Sequence, residues 1–292
     1  MRHVPQSICA VAALVAWIGG SAGWAASAAF DKAQKYYNST RFDESLKVLE
    51  SIPNKDAQVF ELSGLNYYMR GDYKKAIEQL ENSLKFDPDN SMTTLWLARA
   101  YGRRAETSSP FTAMGFASRA RQNFERAADL NPRNLEALSD LFEYYLGAPG
   151  FLGGGLDKAE RQIEKIAAVD SAEAQWAQAK LAEKRKQPGA VEADLREAIQ
   201  MAPQRIGLLL ELARFLAHEG RFEESEQAFA SAEKIAPGSP RVVFARAEMY
   251  VKYSRNLPAA RQLLHQYMAL ALTPDDPPRA DAAKLLRQTE GS

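Results

Sequence analysis

The chain has 292 residues, 46% of them apolar and 25% charged, with 37 basic and 37 acidic side chains. That balance excludes a general nucleic-acid or acidic-membrane binder, whose affinity rests on clustered positive charge. Cys9 is the one cysteine of the sequence, so the chain has no internal disulfide. Once its segment is removed there is no thiolate chemistry either.

Residues 1–28 have the layout of a secretory signal. Arg2 is a short basic start, Ile8 to Ile18 is an uncharged apolar run, and Ala26-Ser27-Ala28 is a small-x-small cleavage site. Gly23-Trp24-Ala25 is a second possible site. The competing reading is an uncleaved anchor, since no charge stands between Arg2 and Asp31. The strongly apolar run is only eleven residues long, against about 20 for a bilayer-spanning helix. The expectation is export to the periplasm or the medium. The alternative is an inner-membrane tether facing the periplasm, the only way the membrane enters as a partner.

From residue 29 onward, apolar residues recur at three- and four-residue steps in paired amphipathic segments. In residues 29–56 these are Ala33 and Tyr36, then Ser45 and Leu49. Thr40 followed by Asp43 predicts a weak capping box at the second helix. The pattern is fullest in residues 57–90. Phe60, Gly64, Leu65, Tyr67 and Tyr68 mark one helix, and Tyr73, Ala76, Ile77, Leu80 and Leu84 the next. Gly71-Asp72 makes the turn and Pro88 closes the unit.

This 34-residue unit resembles a tetratricopeptide repeat, a family whose period and Trp/Leu/Gly/Tyr/Ala/Phe/Pro pattern are distinctive. Laid along the chain, the pattern predicts an all-α solenoid over 29–292. Its seven repeats fall at about 29–56, 57–90, 91–134, 135–173, 172–205, 206–239 and 240–274, with a capping helix at 278–289. The unit at 172–205 fits least, because Gln187-Pro188-Gly189 stands where a Gly-Asp-aromatic turn is expected. Ala283, Leu285 and Leu286 are expected to cover the end. A lone hairpin cannot bury enough apolar surface to offset its ordering entropy, so units must stack. Small residues at position eight (Gly64, Ala98, Ala213, Ala247) are expected to admit the neighbouring unit.

Two repeats carry inserts at the helix–helix turn, around Thr107–Phe116 and Leu146–Leu156. They present Phe111, Met114, Phe116, Phe151 and Leu152. Either these groups cover one another on the repeat edge, or they form a lip that a partner touches.

Catalytic constellations are missing from the sequence. His218 and His265 have no metal-ligand spacing around them, and no serine lies in a nucleophile turn. Glu223-Glu224 suits a helix start, where negative charge meets the dipole. The run Gly150–Asp157 lacks the Gly-Lys-Ser/Thr of a phosphate loop, and Asp157 is expected to cap the next helix. No metal or cofactor is expected, and the chain reads as a non-enzyme.

The resemblance implies a protein or peptide partner held in a groove lined by the first helices. Carried over, its positions are Tyr68, Met69, Met92, Leu95, Arg99, Arg103, Arg214, Phe244 and Lys252, a mixed apolar and basic lining suited to a peptide with acidic groups. Arg99 and Arg103, four residues apart, either hold one carboxylate jointly or are simply solvated. Phe30 and Gln34 replace the Lys and Asn of the carboxylate clamp found in some relatives, which argues against chaperone-tail recognition. The expected role is an envelope scaffold, with a tethered structural subunit as the alternative.

Overall fold

The computed structural model describes residues 19–290; Cys9 and the apolar run Ile8–Ile18 lie outside the described residues. All regular structure in the described part is helical. Its helices pair as α1 (Gly19–Asn38) with α2 (Phe42–Glu50), α3 (Ala57–Met69) with α4 (Tyr73–Phe86), and α5 (Ser91–Glu106) with α6 (Pro110–Leu130). Next come α7 (Leu135–Gly147) with α8 (Leu156–Ala167), and α9 (Ser171–Lys184) with α10 (Pro188–Met201). The last pairs are α11 (Ile206–His218) with α12 (Phe222–Ile235) and α13 (Pro240–Lys252) with α14 (Leu257–Ala269), followed by the single helix α15 (Arg279–Glu290).

Each helix packs on those before and after it, which makes the molecule an all-α solenoid. First helices also touch the next first helix, from α1–α3 through α13–α15. The exception is α9 and α11, which approach each other least.

Local chemistry sets the helix starts. Asp56, Asp72, Asn90, Asn134 and Asp170 each precede a helix and accept a hydrogen bond from the backbone N–H three residues on. Each satisfies a donor the helix leaves unpaired. The predicted Thr40 cap does not form: Arg41 is the N-cap of α2, and no side chain bonds there. Thr40 instead takes the left-handed turn position (φ 58°) that Gly71 and Gly220 occupy at φ 76° and 75°. Lys186 holds the same place in the fifth unit at φ 59°.

The core is a chain of clusters, each shared by neighbouring units. Gly64 shows that the small position serves its own hairpin. A Cβ there would meet Leu80 Cγ at 2.6 Å, and Leu80 lies on α4 of the same unit. That corrects the expectation that this position admits the neighbouring unit. Where Ser45 and Ser225 replace alanine in the buried second-helix register, each hydroxyl donates to a first-helix carbonyl. Those acceptors are Ala33 at 2.9 Å and Ala213 at 2.8 Å, which removes the penalty of burying an unpaired group.

The first insert is no loop. It lengthens both helices, so α6 starts at Pro110 and runs 21 residues. Proline suits a first turn because its missing N–H has no partner there anyway. The second insert forms a 3-10 turn, Gly150–Leu152. A Cβ on Gly154 would stand 1.9 Å from the Ala148 carbonyl oxygen, so the glycines allow the loop to fold back on itself. Gly155 is the N-cap of α8. Asp157 is therefore not the expected cap; it lies in the first turn and pairs with Arg161 at 3.0 Å.

At the other end Ala282 is buried, and Leu285 and Leu286 pack beside it on the last cluster. Ala282 takes the inward place expected of Ala283. The buried Tyr267 hydroxyl donates to the Pro277 carbonyl, and Arg279 Nη2 donates to the Leu270 carbonyl at 2.6 Å. Both fasten the loop before α15.

Candidate binding groove

The first helices build one continuous surface. Position nine of each unit falls on it: Leu65, Arg99, Glu143, Lys180, Arg214 and Glu248. Three clefts open along this line. The widest, about 880 Å³, lies between α9, α11, α13 and the loop Asp275–Pro278. A second, of about 400 Å³, sits at the α9–α10 turn beside α11. The third, of about 620 Å³, runs between Glu143 on α7 and Lys184 on α9. Adjacent clefts share residues. Glu211 and Arg214 border the first two, and Lys180, Glu183 and Lys186 border the last two.

Charged and polar ties run between successive first helices. Arg99 on α5 donates to Asp140 at 2.5 Å and Glu136 at 3.0 Å, both on α7. Ser139 on α7 donates to Glu173 on α9 at 3.0 Å. Arg205, just before α11, reaches back to Asp170 at 2.5 Å and Glu173 at 3.1 Å. Lys180 meets Glu211 at 3.7 Å, and Arg214 meets Glu248 at 3.8 Å. Most groove charges are thus neutralised within the protein.

Neither reading of Arg99 and Arg103 holds in full: they share no carboxylate, and Arg99 is not simply solvated. Arg99 is held by α7 and lies over the Trp96 ring at 4.6 Å. Arg103 bonds Glu106 at 2.5 Å and the Tyr73 hydroxyl at 3.3 Å. Both guanidinium groups are already engaged, and by different partners.

Burial also acts on the groove carboxylates. Burial raises the Glu143 carboxyl above the usual range, with Asp140, Glu211 and Glu173 adding to the shift and Lys180 opposing it. Glu173 is likewise raised, chiefly by burial. Removing water from around a charged group favours its neutral form. Burial also raises the Tyr37 hydroxyl of α1, on which Asp275 and Arg99 act with opposite signs.

The nine groove residues named from the sequence lie at different depths. Tyr68, Arg99, Arg103, Arg214 and Lys252 lie on the open side. Tyr68 packs edge-on against Trp96 at 5.2 Å and Tyr73 at 5.5 Å. Met92 is partly exposed at the start of α5, where Asn134 Nδ2 approaches its sulfur at 3.2 Å. Met69 is half-buried against the first cluster. Leu95 is fully buried, which corrects its assignment to the lining, whereas Phe244, though largely buried, borders the widest cleft. Both stand at position five, and Phe244 packs on Tyr267 of its own hairpin at 5.2 Å. Sequence reasoning missed Asp140, Glu143, Glu173 and Lys180, although the position-nine register contained Glu143 and Lys180.

The insert residues also separate. Phe116 stacks on Tyr101 at 6.2 Å, and the Tyr144 hydroxyl lies 2.9 Å from the Leu152 carbonyl and 3.2 Å from that of Ala117. Phe111 and Phe151 are 89% and 78% exposed, and Met114 is 48% exposed. Self-covering thus describes part of the inserts and not their tips.

Among the described residues, no group of His, Cys, Asp and Glu is placed to hold a metal ion, and no helix is long and apolar enough to cross a membrane.

Family models described as tetratricopeptide repeat match residues 57–90 and 182–249. Those two stretches are tetratricopeptide repeats. Such domains in general bind protein or peptide partners and act as non-enzymatic scaffolds. No curated protein matches the sequence. Among solved structures, the solenoid is similar to a tetratricopeptide repeat protein of Parabacteroides merdae. The two share 14% identity with a TM-score of 0.58, over 92% of this chain and 100% of that one. It is also similar to a thermophilic tetratricopeptide repeat protein of Thermus thermophilus. There the identity is 19% and the TM-score 0.53, over 65% of this chain and 98% of that one. At these identities the likeness is one of fold, and the groove's chemistry is this repeat protein's own.

Proposed function

We propose that this tetratricopeptide repeat protein is a non-enzymatic scaffold of a bacterial cell envelope that holds a segment of a protein partner in the groove of its first helices. The observation that carries the reading is the run of three adjoining clefts along α7, α9, α11 and α13. An extended segment or a helix fits such a trough, with side-chain pockets giving selectivity. Export is supported by the basic start, apolar run and small-x-small site of residues 1–28.

Photocrosslinking from single groove positions tests the binding reading. With a benzophenone side chain at Arg214 or Lys252, one defined partner is expected to be captured in envelope extract. The same group at Lys234, exposed on the second helix α12, is expected to give none. Equal capture from both faces overturns the reading. The mass of the mature N-terminus tests export, and a start near Ala26 or Ala29 is the expected result.

A second reading is a structural subunit tethered by its first helix. One observation favours it: α1 runs unbroken from Gly19 to Asn38, through Ala26–Ala28. Intact Met1 in the membrane fraction is the result that supports it.

A further inference from the structure

The second helices α2, α4 and α12 begin on aromatic rings, each packed on a tyrosine at the end of a first helix. That tyrosine is the unit's own for α2 and α4 and the next unit's for α12. Phe42 packs on Tyr37 at 5.8 Å, Tyr73 on Tyr68 at 5.5 Å, and Phe222 on Tyr253 at 5.5 Å. In α8 and α14 the same register holds Leu156 and Leu257. In α10 it holds Pro188. A cavity of about 400 Å³ opens there, with Ala179, Pro188, Val191, Leu195 and Phe215 as its apolar wall. This is also the step with the least contact between successive first helices, α9 and α11.

The rim of the cavity is charged, and most of it is internally paired. Lys180 pairs with Glu183 and Glu211, Arg214 with Glu211, and His218 contacts Glu219. Two cations of the rim have no carboxylate partner among the described residues: Lys186, in the left-handed turn, and Lys252, which lies over the Tyr253 ring at 5.4 Å. The cavity joins the trough on both sides, through Glu211 and Arg214 one way and Lys180, Glu183 and Lys186 the other.

We infer that the Pro188 cavity is the anchor subsite of the groove. It takes an aromatic side chain of a partner segment, with Lys186 and Lys252 holding an adjacent acidic side chain. The inference rests on the groove reading above and names the chemistry of what enters it. An apolar pocket of this size buries a ring, and buried aromatic anchors carry most of the energy of such contacts. Because the trough continues past the cavity at both ends, the acid belongs to an internal side chain and not to a chain terminus. An ion pair at a half-open rim adds orientation more than affinity.

The probe is the blocked hexapeptide acetyl-Gly-Gly-Phe-Asp-Gly-Gly-amide, titrated into the full chain with ¹³C-labelled methyl groups. Saturable shifts are expected at Val191 and Leu195, with none at Val243. Replacing the peptide phenylalanine by alanine is expected to weaken binding at least tenfold, and aspartate by asparagine about threefold. Pro188→Tyr restores the ring seen in the other units and is expected to abolish the shifts without lowering Tm. The paired change Lys186→Gln with Lys252→Gln is expected to remove the preference for aspartate while keeping that for phenylalanine.

Shifts elsewhere in the groove that ignore the phenylalanine overturn the anchor and leave the groove reading standing. Absence of any binding overturns the anchor, and the groove reading then stands or falls on the crosslinking result. Should Pro188→Tyr fail to fold, the location of the shifts in the unaltered chain decides the matter.

Discussion

Gly64 and Leu80 are in direct contact across one hairpin, with no room between them for a methyl group. A Cβ on Gly64 would stand 2.6 Å from Leu80 Cγ and 2.9 Å from Cδ2, and Leu80 is fully buried. Alanine has the better helix propensity, by up to about 1 kcal/mol. Forcing volume into a closed core costs about 1–3 kcal/mol, and here the branching carbon of a buried leucine must move. Gly64→Ala is therefore expected to destabilise by about 1–2 kcal/mol in urea unfolding. A gain in stability shows that the α3–α4 seam is slack.

Thr40 illustrates the opposite case. It holds a left-handed backbone (φ 58°) in a register where two other turns use glycine. For an L residue that conformation costs about 1–2 kcal/mol, most of all when β-branched. Thr40→Gly is expected to stabilise by about 0.5–1 kcal/mol, the relief being partly offset by glycine's larger unfolded-state entropy. The urea midpoint reads it, and an unchanged midpoint refutes it.

Arg99 joins α5 to α7 with only 20% of its side chain accessible, and its partner Asp140 with 23%. Arg99→Ala leaves that carboxylate half-buried without its donor, so a loss of about 1–3 kcal/mol is expected. Arg99→Lys is not expected to rescue it, since one ammonium cannot reproduce a planar group reaching two carboxylates. Trp96 fluorescence reports the change, because the guanidinium lies 4.6 Å from that ring.

At the inserts, Phe111→Ser with Phe151→Ser is expected to leave stability within about 0.5 kcal/mol, as exposed substitutions do. Phe116→Ser is expected to lower Tm clearly, because its ring stacks on the buried Tyr101. If the double change of exposed rings also abolishes crosslinked partner, the insert tips belong to the binding surface. If capture is intact, they do not.

The pH dependence turns on Glu192. Arg221 donates to it at 2.6 Å and Arg196 at 2.8 Å, and these bonds bring its carboxyl down to about 2. A folded-state value below the unfolded one means stability that is present above the ordinary carboxylate range. It is lost as pH falls from about 4.5 toward 2. Glu192→Gln is expected to lower Tm at pH 7 and to match the unaltered protein near pH 2. A Tm difference that persists unchanged at pH 2 refutes the linkage.

Much of this protein was legible in its residues alone. Helix periodicity, Gly71-Asp72 and Pro88 define a hairpin because 3.6-residue spacing and turn chemistry are local properties. Repetition of that hairpin then implies a stack. Position nine could be listed from register, and Pro188 was visible where Tyr73 and Phe222 stand in other units. Tertiary structure decided the rest. Whether Leu95 faces the trough or the seam depends on how one unit rotates against the next. Whether Arg99 is available depends on a carboxylate forty-one residues away in sequence. That Pro188 borders a cavity and not a filled corner depends on how α9, α10 and α11 pack around it. Local sequence specifies each hairpin, but the space between hairpins is set by packing among residues that no short window contains.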